Sequence, residues 1–334
     1  MSRAPATVEQ LREELLRAGG RSERSATFDL KAMNRVLEYT PEDMTVTVEA
    51  GISLAQLQAR LAERGQWLPI DPPHPETSSI ADVLNDNASG PRRFGYGTIR
   101  EHLLGLKVML ADGRIVQSGG KVVKNVAGYD LCKLFVGSKG SLGVIVQATF
   151  KVRPLPEAEE FVGNRCDSLT TAATLLEAIN SSELTPVLLE LHSLGPGART
   201  EDGGRQGAIA VTGGFCWVVT GFAGTREEVG WQLAQAAGLG LSTATNLDHE
   251  KIFWSQREAA PIHRISVLPS RLIQTLEKLG AEQFVARAGN GVAYYQGAKA
   301  PPNPELPRTL MRRIKDAYDP KRAFPEIGLF GSEP

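Results

Sequence analysis

Val8, Leu11, Leu15 and Leu16 recur at helical spacing in a polar stretch, and this stripe predicts a helix over residues 7–18. Thr7 is placed to cap it with Gln10 three residues on, and Gly19 and Gly20 stop it. A short strand is expected over 26–30. Val46 and Val48 then alternate with threonines over 45–49, the period-two pattern of a half-buried strand. Gly51 breaks that strand, Ser53 caps a helix carrying Leu54, Leu57 and Leu61, and Gly65 ends it. An extended segment at 67–70 enters the proline-rich loop 71–77, and 80–84 opens another short helix before the polar stretch 85–97. Strands follow at 104–110 and 115–118, where the intervening Asp112 and Gly113 supply the positive φ of a tight hairpin. Alternation returns over 142–152, and Pro154 and Pro156 set a domain boundary near residue 155.

Beyond that boundary short strands alternate with helices. Strands are expected at 186–192 and 216–222, and helices at 226–237, 271–279 and 304–318. The glycine-rich stretches 195–204 and 213–214 read as turns. Antiparallel strands with helices on one face, a ferredoxin-like α+β arrangement, fit this order. No fixed-period repeat occurs.

The composition narrows the function class. With 37 basic against 38 acidic residues and a net charge of −1, nothing points to nucleic acid or an anionic membrane as partner. Residues 1–14 lack the apolar core of a secretory signal, and no run of about 18 apolar residues predicts a transmembrane helix. Cys132, Cys166 and Cys216 stand far apart without CxxC spacing, so neither structural zinc nor an iron–sulfur cluster is expected on this chain. Buried, reduced thiols in a cytoplasmic protein are the expectation. The histidines His74, His102, His192, His249 and His263 show no metal-ligand spacing and are expected in structural roles. Trp254, Tyr294 and Tyr295 are expected in the core or an interface.

Three small-residue loops gather between residues 72 and 145. The first, Thr77-Ser78-Ser79-Ile80-Ala81-Asp82, enters a helix whose N–H groups carry partial positive charge suited to a pyrophosphate. The second runs from Asn87 to Arg100, with glycines that permit close backbone approach and arginines that neutralise phosphate. The third, 137–145, is a turn into a strand whose backbone can meet a flat ring. Taken singly, each loop also reads as an ordinary turn.

Their order resembles the FAD-linked oxidases of the vanillyl-alcohol oxidase type, through Thr45–Ser53, the asparagine–glycine–tyrosine–arginine loop at 85–100 and the hairpin after it. The runs Ser89-Gly90-Pro91-Arg92-Arg93 and 119–134 more specifically resemble the E subunits of bacterial glycolate oxidases. Asp319-Pro320, with Pro325 beyond, resembles the closing motif of the family, with Glu326 where a glycine is usual. The resemblance is close over 40–155 and looser over 156–334. It implies an α+β fold: a PCMH-type FAD-binding domain of two α+β subdomains over 1–155, the first shortened, then a ferredoxin-like α+β domain over 156–334. It implies non-covalently bound FAD contacted by Pro72, Thr77, Ser78, Ser79, Ile80 and Ala81 in the first segment. Further contacts are implied at Asn87, Ser89, Gly90, Tyr96, Gly97, Arg100, Lys124, Gly143, Val144 and Ile145. Arg100, Lys124 and Tyr129 are the polar groups expected to face flavin or substrate. The implied activity is oxidation of glycolate or a related 2-hydroxy acid, beside a homologous D-type flavoprotein and an iron–sulfur F-type subunit. The complex is expected to be cytoplasmic, with any membrane association peripheral.

Two departures bear on the cofactor. The first pyrophosphate loop of the family, a proline followed by glycines, is largely missing between the opening helix and Phe28-Asp29-Leu30. At Ala81 and Asp82 the family has two glycines. Their side chains crowd a phosphate, and at about 4 Å the Asp82 carboxylate repels each phosphate charge by roughly 1 kcal/mol in water and several times more near a protein surface. Two readings therefore stand: a flavin-bearing enzyme subunit, or an assembly subunit that keeps the fold without its flavin.

Overall fold

In the computed structural model, the described residues are 4–18, 28–120, 131–194, 215–255, 261–297, 300–301 and 308–326. In chain order the elements are α1 (Val8–Ala18), β1 (Val36–Thr40), β2 (Thr45–Glu49), α2 (Leu54–Ala62), β3 (Gln66–Trp67), α3 (Ile80–Asp86), α4 (Arg93–Tyr96), α5 (Ile99–His102), β4 (Leu103–Met109), β5 (Ile115–Gly119), α6 (Cys132–Phe135) and β6 (Val144–Lys151). They continue with β7 (Arg153–Pro154), β8 (Ala158–Cys166), α7 (Leu169–Asn180), β9 (Leu188–Ser193), β10 (Cys216–Gly224), α8 (Arg226–Gly238), β11 (Thr243–Ala244), α9 (Asp248–Ser255), β12 (Ile262–Ser266), α10 (Leu272–Leu279), β13 (Gln283–Arg287), β14 (Val292–Gln296) and α11 (Arg308–Tyr318). Contacts divide the chain into two units: 1–89, 98–155 and 304–334 in the first, and 90–97 with 156–303 in the second.

The first unit is built on a five-stranded sheet of order β1-β2-β6-β4-β5, antiparallel at every pairing. Val46 and Val48 fill one face of β2, while Thr47 meets Thr149 of β6 through their hydroxyls at 3.0 Å on the other. Both faces of this strand are covered, so its alternation marks the two faces rather than core against solvent. Helix α1 buries Leu11 and Leu15, and the Arg12 Nε donates to the Gly113 carbonyl at 2.9 Å, tying the helix to the β4–β5 hairpin. Helix α2 is fixed by a capping box between Ser53 and Gln56. Gly51 is required, because a Cβ there would sit 1.8 Å from the Leu30 carbonyl oxygen. Residues 28–30 have no regular structure, and the remainder of the strand expected over 26–30 lies outside the described residues.

The helix at the end of the chain packs with this first unit and not with the second, where the sequence reading had placed it. Its Lys315, with only 1% of the side chain exposed, donates to Asp319 Oδ2 at 2.6 Å and to the Ser141, Phe324 and Pro325 carbonyls at 2.8, 3.1 and 3.2 Å. The Asp319 carboxylate in turn accepts from the Ala323 and Phe324 amides. Phe324 is thereby seated in the same core as Leu11 and Val46.

The second unit carries a seven-stranded sheet of order β11-β8-β10-β9-β13-β14-β12, antiparallel throughout. Leu189, Leu191, Phe284 and Ala286 join the core formed with α7, α8 and α10. The alternate residues Glu190, His192, Val285 and Arg287 point to the opposite face, where α9 lies, so helices cover more than the one face expected. No helix among the described residues is long and apolar enough to cross a membrane.

Candidate cofactor site

A cavity of about 380 Å³ opens in the first unit between α3 and the start of β6, within the range of small-molecule sites. It brings together five of the residues expected at the cofactor: Ser79 and Ala81 from the first loop, and Gly143, Val144 and Ile145 from the third. Phe324 and Pro325 supply part of its wall, positioned by the Lys315 network. Asn85 lines it too, and its Oδ1 is buried without a hydrogen-bond partner, an acceptor open to a ligand N–H or O–H.

The other expected contacts are placed differently. Ile80 is fully buried in the core and Pro72 is buried in its loop. Thr77 is exposed, and its amide and that of Ser78 both bond the His74 carbonyl. Asn87 caps α3 at its C-terminal end in a left-handed conformation, Ser89 is buried, and Arg100 lies half-buried on α5. Gly90, Tyr96 and Gly97 are in the segment counted with the second unit. Lys124 and Tyr129 lie outside the described residues, as does most of the 119–134 run. Gly143 serves packing as well, since a Cβ would come within 2.6 Å of Val108 Cγ1 on β4.

The first turn of α3 tests whether this cavity fits a pyrophosphate. Helix N-termini bind anions through N–H groups that the helix leaves unpaired. Here the Ser79 amide donates to Asp82 Oδ2 at 2.9 Å and the Asp82 amide to Ser79 Oγ at 3.1 Å, a reciprocal capping box. The Ser79 hydroxyl also donates to Asp82 Oδ2 at 2.7 Å. The Ile80 and Ala81 amides donate to the Ile52 and Ala50 carbonyls at 2.9 and 2.7 Å. All of these donors are spent inside the chain, and a carboxylate stands where the phosphate would. The described lining carries Asp29, Asp82 and Asp86 against Lys31 and Lys139, and Lys139 is itself paired with Asp86 at 2.8 Å. As folded, α3 does not fit a pyrophosphate. Asp82 does more than crowd the position: it completes the capping box begun by Ser79.

Sequence comparison meets this geometry at the same stretch of chain. Residues 14–119 match the FAD binding domain family. They belong to it. The chain is 37% identical over 160 residues to glycolate oxidase subunit GlcD of Bacillus subtilis, covering 48% of this chain and 34% of that protein. It is 37% identical over 140 residues to glycolate oxidase subunit GlcE of Escherichia coli, covering 42% and 40% respectively. A probable mitochondrial D-lactate dehydrogenase of Danio rerio is 41% identical over 134 residues, covering 39% of this chain and 27% of that one. The matches thus span between 27% and 40% of these curated relatives' lengths. Among solved structures, alkyldihydroxyacetonephosphate synthase superposes with a TM-score of 0.67 at 19% identity, over 96% of this chain and 75% of that one, a likeness of fold. The α+β architecture with antiparallel sheets and an FAD binding domain is as the sequence led us to expect.

Sequence reasoning missed a second polar cluster, buried in the second unit between the sheet and α9. Arg287 Nη1 donates to Glu190 Oε2 and Glu250 Oε1 at 2.6 Å each, and Nη2 to Glu250 Oε2 at 2.8 Å. Trp254 Nε1 adds a bond to Glu250 at 3.0 Å. His192 and His249, both expected in structural roles, stack face to face at 4.0 Å. Glu190, His249 and Glu250 bring ligand atoms within 4.8 Å of one another, but the Arg287 guanidinium pairs with both carboxylates, so an ion-pair cluster is the better description. The only local signal was the spacing of Glu190 and His192, which places both on one face of a strand.

Burial, and then the Arg287 charge, push the His249 pKa down to about 3, and burial with the neighbouring His249 lowers His192 likewise. The Glu250 carboxylate 4.0 Å from His249 does not reverse this, being committed to Arg287. An imidazole in the unfolded chain titrates near pH 6.5, so below that pH the unfolded state binds more protons. The stability from neutral burial is complete above about pH 6.5 and drains away as pH falls towards 3. Urea midpoints should therefore fall between pH 6 and 5 with a slope of about 1.4 kcal/mol per pH unit for each histidine. His249→Gln should flatten that slope. A stability independent of pH across this window would contradict the buried, neutral pair.

Proposed function

We propose that this chain is a subunit of an FAD-linked oxidoreductase acting on glycolate or a related 2-hydroxy acid, alongside a D-type flavoprotein and an iron–sulfur F-type subunit. The observation that carries this reading is the 380 Å³ cavity in which the first expected loop, within the stretch that matches the FAD binding domain family, meets the third. Relatives named as glycolate oxidase subunits and D-lactate dehydrogenases supply the substrate class. When bound, FAD would supply the hydride chemistry, and the protein its placement. A second reading, an assembly subunit that keeps the fold without FAD, is favoured by one specific observation: the α3 cap is closed by Asp82.

The visible absorption of the purified chain, before and after adding FAD, separates the two. A flavin band at near-equimolar occupancy supports the first reading, and a colourless protein that ignores FAD supports the second for the isolated chain. Joint replacement Ala81→Gly and Asp82→Gly should tighten FAD binding at least tenfold, about 1.4 kcal/mol, by removing a like charge and freeing the Ser79 amide it holds. The same change should lower thermal stability by about 1–2 kcal/mol through the lost cap and the added glycines. Flavin fluorescence titration on the folded variant reads this directly. Unchanged affinity would mean that α3 plays no part in excluding the cofactor.

A further inference from the structure

Strand β8 ends at Cys166 and β10 begins at Cys216, and the register sets these two residues directly opposite each other in an antiparallel pair. Residues so opposed lie about 4.5 or 5.5 Å apart between Cα atoms and project to the same face, inside the span a disulfide bridges. Both thiols are buried in one apolar cluster, Cys166 1% and Cys216 3% exposed. Burial and the neighbouring Cys166 push the Cys216 thiol up to about 12, so the two groups sense each other across the rung. At rest both are protonated and poor nucleophiles. The rung is the last of the β8–β10 ladder, where opening by local fraying costs least.

We propose that Cys166 and Cys216 form a reversible dithiol–disulfide pair, oxidised by a peroxide when the end of the ladder opens. One thiol gives up its proton as the rung opens and attacks the peroxide: the O–O bond breaks, the sulfur is oxidised to a sulfenic acid, and the leaving hydroxide takes up that proton and departs as water. The second thiol then attacks that sulfur: the S–S bond forms, the S–O bond breaks and the hydroxide departs with the thiol proton as a second water. Two thiols and one hydrogen peroxide thus give one disulfide and two waters. Thiol reductants reverse it. The bond closes a loop of about fifty residues, removing conformational freedom from the unfolded chain while adding no new fold. This inference is independent of flavin binding.

The test uses the full reduced chain, treated with hydrogen peroxide under native conditions, then denatured and alkylated with a maleimide before peptide mass analysis. The expected result is a loss of two hydrogens, a linked Cys166–Cys216 peptide, alkylation retained at Cys132, and a melting temperature raised by several degrees that dithiothreitol returns to the starting value. Cys216→Ser should lose the linked peptide and the shift together. Full alkylation of both cysteines after peroxide, a bond involving Cys132, or a link formed only in denaturant would overturn the proposal.

Discussion

Replacing Arg287 by alanine should destabilise the second unit by about 3–5 kcal/mol, the usual cost of removing one partner from a buried ion pair. Its side chain is 1% exposed, Glu190 is fully buried and Glu250 12% exposed, so the substitution would remove a cation shared by two carboxylates in a region largely closed to water. The imidazoles beside them are held neutral and supply no replacement charge. Trp254, bonded to Glu250, is a local probe, and its fluorescence should report unfolding at a lower urea midpoint. Arg287→Lys keeps the charge but cannot span both carboxylates, so it should lose less. Replacing Arg287 by Met together with Glu190→Gln and Glu250→Gln should recover much of the loss, since burying neutral groups avoids the desolvation of charges. An Arg287→Ala midpoint equal to the parent's would show that the cluster does not form in solution.

What the sequence made legible was chiefly local. Thr7 and Gln10 were read as a cap, and the Gln10 amide donates to Thr7 Oγ1 while the Gln10 side chain accepts from the Ala6 amide. The Ser53 cap and the turn at Gly113, with φ at +80°, were legible for the same reason: each depends on residues within four positions. Strand β1 escaped notice because it is a sheet edge with Leu37 exposed and Glu38 beside it, which erases the alternation. Cross-strand register is not written in any local pattern. Arg287 and Glu190 meet across 97 residues, and Cys166 faces Cys216 although their spacing looks unremarkable along the chain. At the candidate site, spacing singled out the two loops whose Ser79, Ala81 and Gly143–Ile145 line one cavity. It could not tell that Asp82 would close α3 upon itself, because a capping box and a phosphate use the same amides.

Lys315 should prove as sensitive as Arg287, for a related reason applied to the cavity wall. Its ammonium offers three protons to four acceptors, Asp319 Oδ2 and the carbonyls of Ser141, Phe324 and Pro325, so two of them share one. Lys315→Met preserves the length of the side chain and deletes the charge. It leaves the buried Asp319 carboxylate with amide donors only and strips the carbonyls of their common donor. A loss of about 3–5 kcal/mol is expected in the first unit, read from denaturant unfolding. Lys321→Met, at an exposed position two residues beyond Asp319, should stay within about 0.5 kcal/mol and serves as the control. The loss should also have a place. Phe324 and Pro325 are held at the cavity by this network, so the Ala323 and Phe324 amides should exchange hydrogen faster in Lys315→Met while those of β2 and β6 keep their order. If destabilisation appeared with those two amides still protected, the wall would be held by the burial of Phe324 alone, and the ion pair would be only its neighbour.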